Sequence, residues 1–95
     1  MNLRISDLRK ATERLLTHLE ETGRDEVSLS LDYYWDIPRE LRYDNYEQPS
    51  DLSLRQLTDD WVELQKILDG KNAPSVYALV WLASLLRAVG EEFGD

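Results

Sequence analysis

The feature that most constrains the fold is a strict alternation of residue types between positions 27 and 35. Every second position holds an apolar or aromatic residue, and the positions between them hold polar side chains or Tyr34. The apolar and aromatic residues are Val27, Leu29, Leu31, Tyr33 and Trp35. A period of two predicts a β-strand at about 27–35 with one buried face, and it assigns Tyr33 and Trp35 to the core. Because a lone strand leaves its backbone N–H and C=O groups unpaired, this strand needs a neighbour.

Three segments are candidates for the neighbouring strand. Residues 3–5 would make a small parallel unit in which the first helix is the crossover. Part of residues 43–54 is the second candidate, and the same strand of a second copy, which would make a homodimer, is the third. The alternation alone does not choose among them.

Apolar residues at spacings of three and four predict two helices with clear limits. The first, at about 7–22, follows Ser6 as an N-cap and ends at Gly23. The third helix of the chain, at about 75–90, begins beside Pro74 and is apolar nearly all round. A helix of that kind is buried on more than one side, so we expect it to be the central element, contacted by both other helices.

Between these two, a helix is predicted at about 54–69 from a stripe of large apolar residues: Leu54, Leu57, Trp61, Leu64 and Leu68. Its start is ambiguous. Ser53 can begin a capping box, whereas Thr58 with the two acids after it is also typical of a first helical turn. The earlier start is favoured because Leu54 already fits the helical period.

Residues 36–52 are rich in turn formers and predict an ordered but irregular loop. Loops of this length inside a compact domain tend to be functional when they are ordered. The whole pattern predicts a single small α+β domain over residues 1–95. It is mainly helical, with three helices and one short sheet built on the strand at about 27–35.

The residue types that are missing exclude several kinds of chemistry. The chain has no cysteine and one histidine, so disulfides, thiolate zinc sites and a catalytic cysteine are excluded. His18 lies on the flank of the first helix without a nucleophile motif beside it, and we interpret it as a surface residue. No glycine-rich phosphate cradle is present. The sequence predicts no catalytic residue, no metal ligand and no cofactor.

The net charge of −8 is concentrated in the middle of the chain. Residues 25–70 carry four basic and twelve acidic side chains, whereas residues 1–24 carry five basic and four acidic ones. Such a field repels nucleic acid and an anionic membrane surface, and it attracts a basic protein. From the polar N-terminus and the absence of a long apolar run we expect no signal peptide, no membrane span and a cytoplasmic location.

Within this acidic part of the chain, residues 32–51 hold five of the nine aromatic residues. Tyrosine and tryptophan beside carboxylates can bind a basic partner by stacking, cation–π contact and ion pairing. The leading hypothesis is therefore a non-enzymatic protein-binding or regulatory module, of the inhibitor, immunity or adaptor kind. Its predicted partner-binding face consists of Asp32, Tyr34, Asp36, Tyr43, Tyr46, Glu47, Asp59 and Asp60. A structural interpretation exists for Asp36, whose carboxylate could accept the N–H of Arg39 and open a turn.

Two alternatives belong to other classes of protein. In the first, either of two carboxylate clusters could bind a divalent metal or do acid–base work in a small enzyme: Asp32 with Asp36, or Asp59 with Asp60 and Glu63. The other alternative is a mainly structural homodimer, paired through the strand or through the third helix.

Two short motifs also carry a resemblance. Residues 32–38, DYYWDIP, and residues 56–61, QLTDDW, resemble motifs of a group of small acidic bacterial proteins of unassigned function. The resemblance covers most of the chain. It implies a bacterial, cytoplasmic, non-enzymatic accessory protein, and it implies no activity, cofactor or catalytic residue.

Overall fold

The computed structural model describes residues 1–36 and 53–93 and has an α+β fold that is mainly helical, as predicted. The elements follow one another as helix α1 (Ile5–Glu21), strand β1 (Tyr33–Asp36), strand β2 (Ser53–Gln56), helix α2 (Leu57–Leu68) and helix α3 (Ala78–Phe93). Apart from Asp36, the predicted loop at 36–52 lies outside the described residues, and so does the predicted turn at Arg39.

Helix α1 begins two residues earlier than its pattern predicts. Arg4 is the N-cap residue, in an extended conformation and without a side-chain cap bond, so Ser6 lies inside the helix and is not its cap. At the other end Gly23 adopts φ 88°, a left-handed conformation that favours glycine. The N–H of Gly23 bonds the carbonyl of Glu20 at 2.9 Å, which ends the helix where the glycine predicts.

The sheet is an antiparallel hairpin of two four-residue strands, with Tyr33 opposite Gln56 and Trp35 opposite Leu54. The predicted strand at 27–35 is therefore too long, because ladder pairing begins only at Tyr33. The partner strand is Ser53–Gln56, which overlaps only the end of the second candidate segment, 43–54. The register thus resolves which segment pairs with the strand.

Helix α2 begins at Leu57, so its favoured start at 54 is wrong: residues 53–56 form β2. The backbone of Gln56 is still extended, with φ −111° and ψ 133°. The face that α2 presents to α3 is also rotated from the predicted stripe. Leu57 and Asp60 are buried on it, whereas Leu68 is exposed.

The expectation that α3 is central and covered by both other helices is wrong as well. Helix α3 packs against α2, but Ala78 is its only buried residue, and α1 has none. Among the described residues the buried hydrophobic side chains are Leu57 and Ala78 alone. The described part of the fold therefore rests on a small core, with much apolar surface left on the helices.

The connection after α1 is attached to the end of α3. The guanidinium of Arg24 lies 4.2 Å from the centre of the Phe93 ring, a cation–π contact. Ser30 donates twice to Glu92 Oε2, from its hydroxyl at 2.8 Å and from its backbone N–H at 3.3 Å. These contacts hold residues 24–30 at the C-terminal end of α3.

Candidate functional site

The face of β1 that was predicted to be buried is exposed, and the opposite face is partly buried. Tyr33 is 58% exposed and Trp35 is 64% exposed, whereas Tyr34 is half-buried. The assignment of Tyr33 and Trp35 to the core is therefore wrong. Alternation defines two faces of a strand but not which of them is buried. Here the inner face is the one with Tyr34, because the Tyr34 hydroxyl donates a hydrogen bond to a buried carboxylate on α2.

That carboxylate belongs to Asp60, the most buried polar side chain among the described residues at 1% exposure. Its Oδ2 atom accepts a hydrogen bond from the Tyr34 hydroxyl at 2.5 Å and another from Ser84 Oγ at 2.7 Å. Its Oδ1 atom accepts from Arg55 Nη2 at 3.3 Å, an ion pair as well as a hydrogen bond. We call Asp60, Tyr34, Ser84 and Arg55 the Asp60 network. It joins β1, β2, α2 and α3 at one carboxyl group.

The network supplies the ion pair and the hydrogen bonds that a buried carboxylate requires. An isolated carboxylate inside a protein is strongly unfavourable unless it is both paired and hydrogen-bonded. Ser84 has one hydroxyl proton and a second acceptor, the Trp81 carbonyl, also at 2.7 Å. The carboxylate is the stronger acceptor because it is charged. In the described part of the chain no buried side-chain nitrogen or oxygen lacks a partner.

The network also shifts the ionisation of two of its members. Burial raises the pKa of Tyr34, and the hydrogen bond to Asp60 raises that pKa further, because both disfavour a phenolate. For Arg55, burial lowers the pKa, but the neighbouring oxygens of Tyr34 and Asp60 outweigh that effect and the pKa is raised. Tyr34 is therefore held as a neutral donor and Arg55 as a cation.

Asp32 has a separate structural role at the start of α2. Its carboxylate accepts the backbone N–H of Thr58 at 2.8 Å and the hydroxyl of Thr58 at 2.9 Å, and its own carbonyl accepts the N–H of Leu57 at 2.7 Å. Gln56 Nε2 also donates to Oδ2 of the Asp32 carboxylate, at 3.4 Å. The first N–H groups of a helix have no partner within the helix. Asp32 thus caps α2 from another segment of the chain.

The structure brings together only part of the predicted partner-binding face. Tyr34 and Asp60 bond each other, and Asp32 lies beside them at the start of α2. Asp36, half-buried, ends β1 on the same face as Tyr34, whereas Asp59 is exposed on α2. The remaining three residues of that face lie outside the described residues: Tyr43, Tyr46 and Glu47.

Sequence reasoning missed three partners of these carboxylates: Arg55, Ser84 and Thr58. For Ser84 a signal exists, since it is one of the few polar residues within an apolar helix. A polar residue at a packed position predicts a buried acceptor nearby. Arg55 carries no such signal, because its position was assigned to the start of a helix and not to the inner face of a strand.

Two surfaces remain beside the network. The first, the aromatic face, is the outer side of the hairpin and consists of Tyr33, Trp35 and Leu54, all exposed. The second is an open groove of about 810 Å³ between residues 29–36 and α3, the β1–α3 groove, and Tyr33 and Trp35 of the aromatic face also line it. Its α3 side includes Leu79, Val80, Ala83 and Arg87.

The network consists of hydrogen bonds and one ion pair that join the elements around Asp60. Both oxygens of Asp60 accept hydrogen bonds, and burial raises the pKa of the Tyr34 hydroxyl that donates one of them. Within residues 1–36 and 53–93, no three His, Cys, Asp or Glu side chains are grouped as a metal site would require. None of the described helices has the length and apolarity needed to cross a membrane.

Comparisons of the chain with known protein families, with curated proteins and with solved structures find no match.

Proposed function

We propose that this chain is a non-enzymatic protein-binding module that presents the aromatic face to a basic protein partner. The observation that carries the proposal is the exposure of Tyr33 and Trp35, at 58% and 64%, on the outer side of a hairpin. Exposed aromatic side chains that lie next to one another mark interaction sites, and tyrosine and tryptophan are the residues most enriched at binding hot spots.

The preference for a basic partner follows from charge. The hairpin belongs to residues 25–70, which carry twelve acidic and four basic side chains. Opposite charge accelerates association and disfavours acidic competitors. The face proposed from the sequence is thereby revised: Tyr34 and Asp60 support the hairpin from within, and Tyr33 and Trp35 take their place as contact residues. An inhibitor, immunity or adaptor protein acting in the cytoplasm fits this proposal.

The proposal predicts a specific loss of binding. A photo-reactive amino acid in place of Tyr33 would be used in the source cell to attach the partner covalently and identify it. With the purified partner, Trp35→Ser is expected to raise Kd by at least about tenfold, since an aromatic side chain that the partner would cover is removed. Trp61→Ser is the matched control, because Trp61 is also exposed but lies on α2. Kd should also rise with salt.

Two results would contradict the proposal. One is an acidic partner whose binding does not depend on salt. The other is equal binding by Trp35→Ser and the unaltered chain. The metal-site and enzyme alternatives have no observation in their favour among the described residues.

A further inference from the structure

The β1–α3 groove meets strand β1 at one of its edges. Both faces of β1 contribute to its lining, Trp35 from the outer face and Tyr34 from the inner one. In the described structure no residue of β2 lines it. A space that touches both faces of one strand but not the neighbouring strand lies beside the edge away from that neighbour. The groove therefore lies between the outer edge of β1 and helix α3.

The hydrogen bonds of the hairpin determine which backbone groups point into the groove. The N–H of Leu57 bonds the carbonyl of Asp32 at 2.7 Å, one residue before the ladder begins. In an antiparallel pair every second residue bonds the neighbouring strand. In β1, Tyr34 thus bonds β2, whereas Tyr33 and Trp35 direct their N–H and C=O groups to the other edge. The sheet formed by the described residues has two strands, so it contains no strand that pairs these groups.

Such an edge is a template for an extended segment of another chain, which adds to the sheet as a further strand. The N–H and C=O groups of Tyr33 and Trp35 would bond its backbone. Across the groove, Leu79 and Val80 are exposed apolar residues of α3, and Ala83 between them and the end of the helix is small. Side chains of an added strand alternate between two faces. One set would contact α3, and the other would lie beside the aromatic face.

The charge of the groove defines the chemistry of such a segment. Three carboxylates line the groove, those of Asp36, Glu91 and Glu92. The one basic group in its lining is Arg87, whose Nε donates to Glu91 Oε1 at 2.9 Å. Glu91 and Glu92 also lie in the last turn of α3, where the helix dipole favours a cation. The complementary segment therefore carries lysine or arginine between its apolar residues.

We propose that the basic partner inserts an extended segment with alternating apolar and basic residues into the β1–α3 groove, where it adds as a third strand to the outer edge of β1. The inference rests on the proposed function, because the segment belongs to the partner that covers the aromatic face. It adds to that function the backbone bonds by which the partner is held and the type of sequence that is recognised.

The first test uses a synthetic peptide that alternates valine and lysine. The groove follows α3 from Leu79 to Glu92, about 20 Å at 1.5 Å per residue, which is the length of about six residues of a strand. A peptide of that length should bind with a Kd of about 1 mM or lower. Hydrogen exchange in NMR should show the N–H groups of Tyr33 and Trp35 exchanging at least about tenfold more slowly in the complex. The N–H of Tyr34, already bonded to β2, should change little.

Two control peptides separate the backbone bonds from the charge. The same peptide N-methylated at every residue cannot donate to the carbonyls of β1. A peptide that alternates valine and glutamate keeps its backbone donors but has the opposite charge. Each should bind at least about tenfold more weakly than the valine–lysine peptide.

The second test alters the groove and leaves the aromatic face intact. Ala83→Lys places bulk and a positive charge between β1 and α3, at an exposed position, so the chain is expected to stay folded. It should raise the Kd of the valine–lysine peptide by at least about tenfold. Gln65→Lys is the matched control, since it adds the same charge at an exposed position of α2 outside the groove. Circular dichroism checks the fold, and Leu79→Lys replaces Ala83→Lys if that chain is unfolded.

Several results overturn the inference. One is slow exchange of Tyr33 and Trp35 before any peptide is added, which shows that the edge is already paired, by a second copy if the protection increases with protein concentration. The others are no binding of the valine–lysine peptide at about 1 mM, binding that leaves exchange at the edge unchanged, and equal binding by either control peptide.

Failure of this inference and failure of the proposed function give different results with the partner attached through Tyr33. Trp35→Ser removes the aromatic ring but keeps the backbone N–H at the edge. A partner whose binding is weakened by Trp35→Ser but not by Ala83→Lys uses the aromatic face alone, which overturns the strand addition and supports the proposed function. Binding that neither substitution weakens contradicts both.

Discussion

The helical period of α2 directs the Asp60 side chain toward α3. Its buried carboxylate accepts hydrogen bonds from Tyr34, Ser84 and Arg55. The sequence could not predict this arrangement, because two adjacent acids at a helix start usually indicate a solvated first turn. What distinguishes Asp60 from Asp59 is the hairpin, and the pairing that forms it was not known from the sequence. The sequence placed Asp60 on a partner-binding face, whereas its side chain is buried.

Asp60→Asn should lower the free energy of unfolding by roughly 1–3 kcal/mol, because Arg55 loses its buried counter-charge and the amide can donate where two donors already point. The neighbouring Asp59→Asn is the control, expected to change it by less than about 0.5 kcal/mol since Asp59 is exposed. Urea denaturation measures both. Equal effects of the two substitutions would show that the Asp60 network does not stabilise the fold.

Tyr34 links the network to pH. Its pKa is higher in the folded chain than the ordinary value of 10.0, mainly because of burial. The stabilisation is therefore fully present below about pH 10, and it is lost as the pH rises through the folded pKa. Urea denaturation of Tyr34→Phe between about pH 9 and pH 11 should show a weaker decline in stability than the unaltered chain. Tyr33→Phe is the exposed control, and an identical decline for Tyr34→Phe would contradict the assignment.

At the scale of elements, the sequence predicted three helices and one strand, and it predicted the ends of α1 and α3 to within a few residues. It misplaced the start of α2, since Leu54 fits a helical stripe and a strand equally well. The structure resolves this because Asp32 supplies the cap at Thr58, a contact between residues far apart in sequence. A local pattern contains no information on such a cap.

The cap gives a prediction for α2. Asp32→Ala should lower the free energy of unfolding by about 1–2 kcal/mol, since the N–H of Thr58 loses its acceptor. The N–H of Thr58 should then exchange with solvent faster, measured by hydrogen exchange in NMR. Asp25→Ala, at an exposed position outside the helices, is the control. Unchanged exchange at Thr58 would mean that Asp32 does not cap the helix.

At the scale of the whole molecule, the periodicity of apolar residues predicted the α+β class correctly but overestimated how fully the helices are enclosed. Helix α3 is apolar nearly all round, yet Ala78 is its only buried residue. The reason is that the apolar character of a helix predicts its burial but does not identify the element that covers it. Helix α1 was expected to cover α3, but its own apolar residues Leu8, Leu15 and Leu16 are exposed.

The net charge of −8 acts on the whole molecule. Mutual repulsion of the acidic groups opposes the compact state, and salt screens it over a distance of about 10 Å at 0.1 M. The free energy of unfolding should therefore increase when sodium chloride is raised from about 20 to 200 mM. Potassium chloride is the control for a specific ion effect, and a decrease in stability with both salts would contradict the prediction.

The cap at Thr58 and the bond between Tyr34 and Asp60 each join residues that are 26 positions apart. Closing a chain segment of that length costs about 3 kcal/mol of entropy, whereas α2 and α3 are neighbours in sequence. We expect the helix pair to form early and the hairpin to dock late. In stopped-flow measurements, Asp32→Ala should then mainly speed unfolding and leave the folding rate nearly unchanged. A slower folding rate would show instead that the hairpin is already in place at the rate-limiting step.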